Sequence, residues 1–310
     1  MTLTELRYII ALDKERHFGR AAERSFVSQP TLSVALRKFE DQLGVTVFER
    51  QRGKVKPTPI GERIIEQARR VLAEAQLLES IASEGQDELS GRLRLGAIYT
   101  VGPYLLPRLI PALKQVAPNM PLAIEENYTS VLSAMLSRNE LDLIIVAEPF
   151  SPAGVSTWAL YDEAFVVAMP PQHPWAERAS IGTSELADEN LLLLGPGHCF
   201  RDQVIESCPD CAKVTDDEEP LAGGSLETIR HMVASGLGIT VLPQATVNPD
   251  TDHGQLLTTR PFAGTPPTRR ITLAWRRTFP RMQAIRAVHD AIVASQMQGV
   301  SWISDAQPSE

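Results

Sequence analysis

The side chains suited to redox or metal chemistry crowd one short window. Residues 197–211, Gly-His-Cys-Phe-Arg-Asp-Gln-Val-Ile-Glu-Ser-Cys-Pro-Asp-Cys, hold Cys199, Cys208 and Cys211, all three cysteines of a 310-residue chain. Three readings fit that clustering. His198, Cys199, Cys208 and Cys211 are all zinc-ligand types, and Cys208-Pro-Asp-Cys211 has the spacing of a zinc knuckle; adjacent residues such as His198 and Cys199, however, do not easily reach one metal. The thiols could equally be buried and inert. The third reading is redox chemistry. Cys199 follows the apolar run Leu191–Leu194 and then Gly195-Pro196-Gly197, so it is expected to begin a helix, where the positive end of the dipole favours a thiolate. His198 and Arg201 add donors or positive charge. An accessible thiolate there could attack a peroxide, giving a sulfenic acid that a second cysteine resolves to a disulfide, and Cys208 is the nearest candidate.

A helix from Cys199 to Cys208 would hold the two residues about 13 Å apart on opposite faces, given about 1.5 Å of rise and about 100° of turn per residue. A disulfide tolerates Cα separations of only about 4.4 to 6.8 Å. The bond would therefore close only if the helix unwound, which makes oxidation a conformational event. Pro209 is expected to break any helix, leaving Cys211 to compete with Cys208 as resolver or to sit idle.

The elements that must position this window come next. The length predicts more than one domain. The first twelve residues, MTLTELRYIIAL, read as an amphipathic helix and not as a secretory leader; no apolar run reaches the roughly 18 residues of a membrane span. Three cysteines without an export signal point to the reducing cytoplasm. A net charge of -8 hides an asymmetry: residues 1–70 hold 14 Lys+Arg against 9 Asp+Glu, whereas the remainder holds 16 against 29. The basic end is the part suited to meet a polyanion.

Thr2 and Glu5 have capping-box spacing before Leu6, Ile9, Ile10 and Leu12. A second short helix fits Gly19 to Arg24. Ser28 then looks like an N-cap, with Leu32, Leu36, Phe39 and Leu43 at helical intervals and Gly44 as terminator. The result is a helix-turn-helix whose second helix carries Gln29, Thr31, Ser33, Arg37 and Lys38, types suited to base edges and phosphates. Two short strands, Val45 to Arg50 and Val55 to Thr58, would flank a basic wing at Gln51-Arg52-Gly53-Lys54. From Pro59 a long helix spaces Ile64, Ala68, Val71, Ala75, Leu78 and Ala82 by four and three, a coiled-coil period that predicts a homodimer and an operator of two half-sites. From Leu93 onward strands alternate with helices, giving an α/β class with largely parallel sheets; Thr100, Thr129 and the segment from His198 each follow a strand and are expected to line one cleft. The chain ends in a polar tail, Gly299 to Glu310, expected to have little order.

The stretch HFGRAAERSFVSQPTLSVALRKFEDQLGVTVFER, residues 17–50, closely resembles the DNA-binding end of LysR-type transcriptional regulators, over about the first 60 residues. The segments GAIYTVGPYLLPRLIP, EENYT, GHCFRDQV and SLETIRHMVASGLGITVLP resemble the peroxide-sensing branch of that family across the body of the chain. The resemblance implies a winged helix-turn-helix (1–58), a linker and dimerisation helix (59–88), a two-lobed, periplasmic-binding-protein-like α/β regulatory domain (92–300) and a tail (301–310). It implies that Gln29, Pro30, Thr31, Ser33 and Arg37 face the major groove, with Arg50 and Arg52 near the backbone. For peroxide it implies Thr100, Thr129, His198, Cys199 as the sensing thiol, Cys208 as the resolving one, and Arg270, for which a surface salt bridge is the competing role. Asp202, one turn from Cys199, could tune the site. The implied function is a cytoplasmic DNA-binding regulator of oxidative-stress genes that senses hydrogen peroxide, with double-stranded DNA of dyad symmetry, RNA polymerase, a glutaredoxin or thioredoxin reductant, and tetramers of the chain as partners. Neither a cofactor nor a resident metal nor an enzymatic activity is implied. The alternative is a LysR-type regulator of a small metabolite, with the cysteines as bystanders.

Overall fold

A computed structural model describes residues 1–51, 54–82, 88–208, 211, 222–247, 257–303 and 308. Two compact units are separable, residues 1–85 and 86–310.

In the first unit α1 (Leu3–Glu15) opens with the expected capping box: Thr2 accepts from the Glu5 amide, and the Glu5 carboxylate accepts from the Thr2 amide at 2.7 Å. His17 caps α2 (Phe18–Arg24) through its ring nitrogen. Ser28 caps α3 (Gln29–Leu43), and Gly44 ends it at φ 68, a left-handed conformation that glycine enters without strain. Leu6, Ile9, Leu12, Ala21, Ala22, Leu32, Leu36 and Phe39 form the buried centre of this three-helix unit. Glu40 ties α3 to the wing, accepting from the amides of Val47 and Phe48 at 2.6 and 3.1 Å. The wing is an antiparallel hairpin of β1 (Phe48–Gln51) and β2 (Lys54–Pro57). α4 (Pro59–Ala82) follows, capped by Thr58 at the Gly61 amide; a Cβ on Gly61 would collide with the Val47 carbonyl, so only glycine lets the helix start so close to the wing. Its first half packs on its own unit through buried Ile65 and Ala68 and an Arg69–Asp13 ion pair at 2.6 Å, whereas Leu78 is 69% exposed.

The second unit is a two-lobed α/β body built on one continuous path of strands, 122–127, 93–98, 143–147, 268–276, 155–169, 239–243, 191–194 and 222–223, with β10 (Thr258–Pro261) and β12 (Val300–Trp302) also on the 155–169 strand. Lobe one holds parallel β3 (Leu93–Ile98), β4 (Leu122–Asn127) and β5 (Leu143–Ala147), with α5 (Gly102–Val116), α6 (Thr129–Ser137) and a late helix at Met282–Ala294. Lobe two holds parallel β7 (Leu191–Leu194), β8 (Ala222–Gly223) and β9 (Ile239–Pro243), with α7 (Cys199–Ser207) and α8 (Leu226–Ala234). Each lobe has its own apolar core. The long strands β6 (Val155–Met169) and β11 (Thr268–Arg276) run antiparallel and bind the lobes together.

Three expectations need correction. The sheet is not largely parallel, because β6 pairs antiparallel with β9, β10, β11 and β12. The apolar runs in the sequence mark strands from Phe165 and from Ile271, whereas β6 begins at Val155 and β11 at Thr268. Charges at Asp162, Glu163, Arg269 and Arg270 mask both starts in the sequence, yet the register places Arg269 opposite Glu163 and Arg270 opposite Asp162, so the charges satisfy one another across the ladder. Finally, the tail is not structureless from Gly299: Val300–Trp302 adds an edge strand to β6, with Trp302 packed edge-on against buried Tyr161.

Candidate functional site

Strands β3, β4 and β7 end close together, and the segment after each supplies a wall of one small pocket lined by Ile98, Tyr99, Thr100, Asn127, Tyr128, Thr129, Gly197, His198 and Cys199, with room for about one water-sized molecule. Thr129 is the first residue of α6 and Cys199 the first of α7. Two helix N-termini, whose free amides and dipoles favour negative charge, therefore meet at the Cys199 sulfur. The Thr129 hydroxyl donates to that sulfur at 3.6 Å. Gly197, at φ 94, lets the backbone turn under the Tyr128 ring.

His198 is buried, its ring edge-on to Tyr128 at 4.8 Å and 5.9 Å from Tyr99. Burial pulls its pKa below the ordinary value, and a hydrogen bond to the Gly224 backbone opposes this only in part. The imidazole is thus held neutral beside the thiol. Thr100 is also buried, and its hydroxyl oxygen accepts from Nη1 of Arg269 at 2.8 Å while its carbonyl accepts from Nη2 at 3.1 Å. An oxygen that accepts from a fixed guanidinium leaves its own proton to donate elsewhere.

The structure brings Thr100, Thr129, His198 and Cys199 together and leaves two expected residues outside. Arg270 is a surface residue bonded twice to Asp162, at 2.8 and 2.9 Å. Its competing role is the observed one. Side chains alternate along a strand, so the inward cation is its neighbour Arg269, fully buried, 2.6 Å from Glu163 and stacked 4.9 Å over Phe200. Asp202 is exposed, a turn along α7, and does not line the pocket. Tyr99 and Tyr128 line it and were not singled out; each sits beside an expected threonine, and that adjacency was the available signal.

The other two cysteines lie at the far end of α7. Cys208 is its C-cap and, with Cys211, belongs to the core of lobe two, whereas Cys199 packs against the core of lobe one. Cys208 and Cys211 are disulfide-bonded with Cα atoms 5.4 Å apart, and Cys199 is free. This revises the expectation that Cys211 competes with Cys208 or sits idle, and in this state the Cys208 sulfur is already engaged. The Cys211 amide donates to the Cys208 carbonyl at 2.9 Å, which holds the two residues together. A zinc site would need both as thiolates.

In the first unit, α3 presents Gln29, Pro30, Thr31 and Arg37 exposed and Ser33 half-buried, around the helix from buried Leu32, Leu36 and Phe39. Val34, 68% exposed on α3, and Phe26, 95% exposed at φ 55 in the turn before it, were not expected. Arg52 lies outside the described residues, as does the side chain of Arg50.

A winged helix-turn-helix carried with a two-lobed α/β domain defines a DNA-binding transcriptional regulator. Residues 3–62 match the bacterial regulatory helix-turn-helix protein, lysR family, and residues 86–296 match the LysR substrate binding domain. The chain belongs to the LysR family. It is 40% identical to the DNA-binding transcriptional dual regulator OxyR of Escherichia coli K12 over 294 residues, 95% of each chain. Full-length OxyR of Pseudomonas aeruginosa, solved with a cysteine-to-aspartate substitution, is 52% identical with a TM-score of 0.77, covering 94% of this chain and 98% of that one. A reduced form of OxyR from N. meningitidis is 47% identical with a TM-score of 0.66, covering 69% and 100%.

Proposed function

We propose that this chain regulates transcription in response to hydrogen peroxide, with Cys199 as the sensing thiol. The observation that carries the reading is the small pocket in which the Cys199 sulfur, at the head of one helix, accepts from the hydroxyl of Thr129 at the head of another, with Thr100 also lining the wall. Relatives named as hydrogen peroxide-inducible genes activators support the same reading.

The Cys199 thiolate attacks one peroxide oxygen, the O–O bond breaks, and the departing hydroxide takes a proton to leave as water. The threonine hydroxyls orient and polarise the peroxide, and the neutral His198 holds the wall. The resulting sulfenic acid condenses with the Cys208 thiol, releasing a second water and forming the Cys199–Cys208 disulfide. Cys208 takes part as a thiol, after reduction of its bond to Cys211. Because α7 separates the two residues by nine positions, about 13 Å, that bond unwinds the helix and pulls Cys208 out of the core of lobe two. This rearrangement is the signal passed toward DNA.

On the DNA side, Gln29, Pro30, Thr31, Ser33 and Arg37 enter the major groove, Arg50 and Arg52 lie by the backbone, and the second half of α4, past the part packed on its own unit, pairs copies of the chain into dimers and then tetramers on a dyad-symmetric operator in the cytoplasm. RNA polymerase is the downstream partner, a glutaredoxin or thioredoxin the reductant, and the chain turns over no substrate. The test is footprinting of reduced and peroxide-treated protein on its own promoter region. Cys199→Ser should bind the operator but lose the peroxide-dependent change; a variant that still responds would overturn the sensing role.

A further inference from the structure

We infer that Cys211 is a third participant in the thiol reaction: it moves the disulfide from Cys199–Cys208 to Cys208–Cys211 and so ends the signal from within the chain. The inference rests on the proposed sensing reaction and adds a residue that the reaction as written leaves unused.

Three observations carry it. The Cys208–Cys211 bond coexists with an intact α7, complete from Cys199 to Ser207, and with a free Cys199. Both sulfurs of that bond lie in the core of lobe two, 1% and 2% exposed. The backbone turn already holds the two residues at disulfide distance. By contrast, the Cys199–Cys208 bond requires nine residues to leave helical geometry and Cys208 to leave its core. Of two disulfides that share one sulfur, the one that spans three residues and keeps the helix and the core is favoured over the one that disrupts both.

The exchange balances. The Cys211 thiol loses its proton and its sulfur attacks the Cys208 sulfur; the Cys199–Cys208 bond breaks, and Cys199 departs as thiolate at the head of a helix before taking up a proton. No electron enters or leaves the chain in this step. The net result of one peroxide is two waters, a Cys208–Cys211 disulfide and a Cys199 thiol restored to its pocket. Attack is intramolecular between positions three apart, so the effective concentration is high. A second peroxide then meets Cys199 with no thiol left to resolve it, and the sulfenic acid persists until a low-molecular-weight thiol captures it.

The test starts from fully reduced full-length chain, adds one equivalent of hydrogen peroxide, and follows the disulfides by rapid alkylation and peptide mass mapping. Wild type should pass through Cys199–Cys208 and finish as Cys208–Cys211 with Cys199 alkylatable; Cys211→Ser and Cys211→Ala should form Cys199–Cys208 and hold it. Cys199→Ser should form Cys208–Cys211 at least 10-fold more slowly than wild type. Wild type that retains Cys199–Cys208 as long as the two variants do overturns the inference and leaves the sensing reaction standing. So does a Cys199→Ser chain that closes Cys208–Cys211 at the wild-type rate. Absence of any Cys199–Cys208 bond in all three chains that keep Cys199 refutes the sensing reaction itself, and the inference with it. Wild type whose final disulfide is Cys199–Cys208 overturns the inference by itself, so a poorly folding variant does not blunt the test.

Discussion

Nη1 of Arg269 donates to Oγ1 of Thr100 at 2.8 Å while the same guanidinium is paired with Glu163 in a site closed to solvent. One residue further along the strand, Arg270 points out to Asp162. Two adjacent arginines of identical chemistry thus do different work because a strand alternates its faces. Truncating Arg269 strands a buried carboxylate, so Arg269→Ala should destabilise the regulatory domain by about 3 to 5 kcal/mol. Arg270→Ala should cost no more than about 1 kcal/mol. Denaturant unfolding of the two variants checks the contrast, and equal losses would mean that the inward assignment is wrong.

The Thr129 hydroxyl is the polar side chain that donates to the Cys199 sulfur. Thr129→Val keeps the shape and removes the donor. With a hydrogen bond contributing about 0.5 to 1.5 kcal/mol, and if it favours the thiolate over the thiol or strengthens in the transition state, sulfenic acid formation should slow by about 2- to 12-fold. Trapping with a dione reagent at known peroxide concentrations measures the rate constant. An unchanged constant would leave Thr129 as a helix-starting residue and no more.

His198 has a pKa depressed by burial. Its neutral form is therefore part of the folded state. Below its ordinary value near 6.5 the unfolded chain takes up a proton that the folded chain refuses, so this residue contributes stability at neutral pH that is lost as pH falls from about 6.5 toward the depressed pKa. The slope from one such group is at most about 1.4 kcal/mol per pH unit. His198→Asn should flatten the stability profile by that amount over the window, as read from unfolding at a series of pH values.

The sequence made the helices of the first unit legible because their caps are local: Thr2 with Glu5, Ser28, and Gly44 each announce an end within four residues. The pocket threonines, His198 and Cys199 were legible because each closely follows a strand, with Thr129 and Cys199 opening helices and His198 as the N-cap of the second. What stayed hidden depends on pairing between distant segments. Charged Asp162 and Glu163 look like a loop until Arg270 and Arg269 are laid against them, more than a hundred residues away in the chain. The Cys208–Cys211 bond was hidden for a different reason: Pro209 signals the end of a helix but not the direction in which the chain then turns.

The exposed face of α3 gives the last prediction. Gln29 is the first residue of the helix and Arg37 lies two turns on, both exposed. A glutamine that reads an adenine edge contributes specificity, so Gln29→Ala should relax preference at one operator position by about 1 to 3 kcal/mol. An arginine in the same groove reads a guanine edge, so Arg37→Ala should relax preference at a second operator position by about 1 to 3 kcal/mol. Titrations of each variant against operator and scrambled duplexes at several salt concentrations separate base reading from phosphate contact. If Arg37→Ala instead weakens binding to all sequences alike and reduces the slope of log K against log salt by about 1, Arg37 meets a phosphate and does not read sequence.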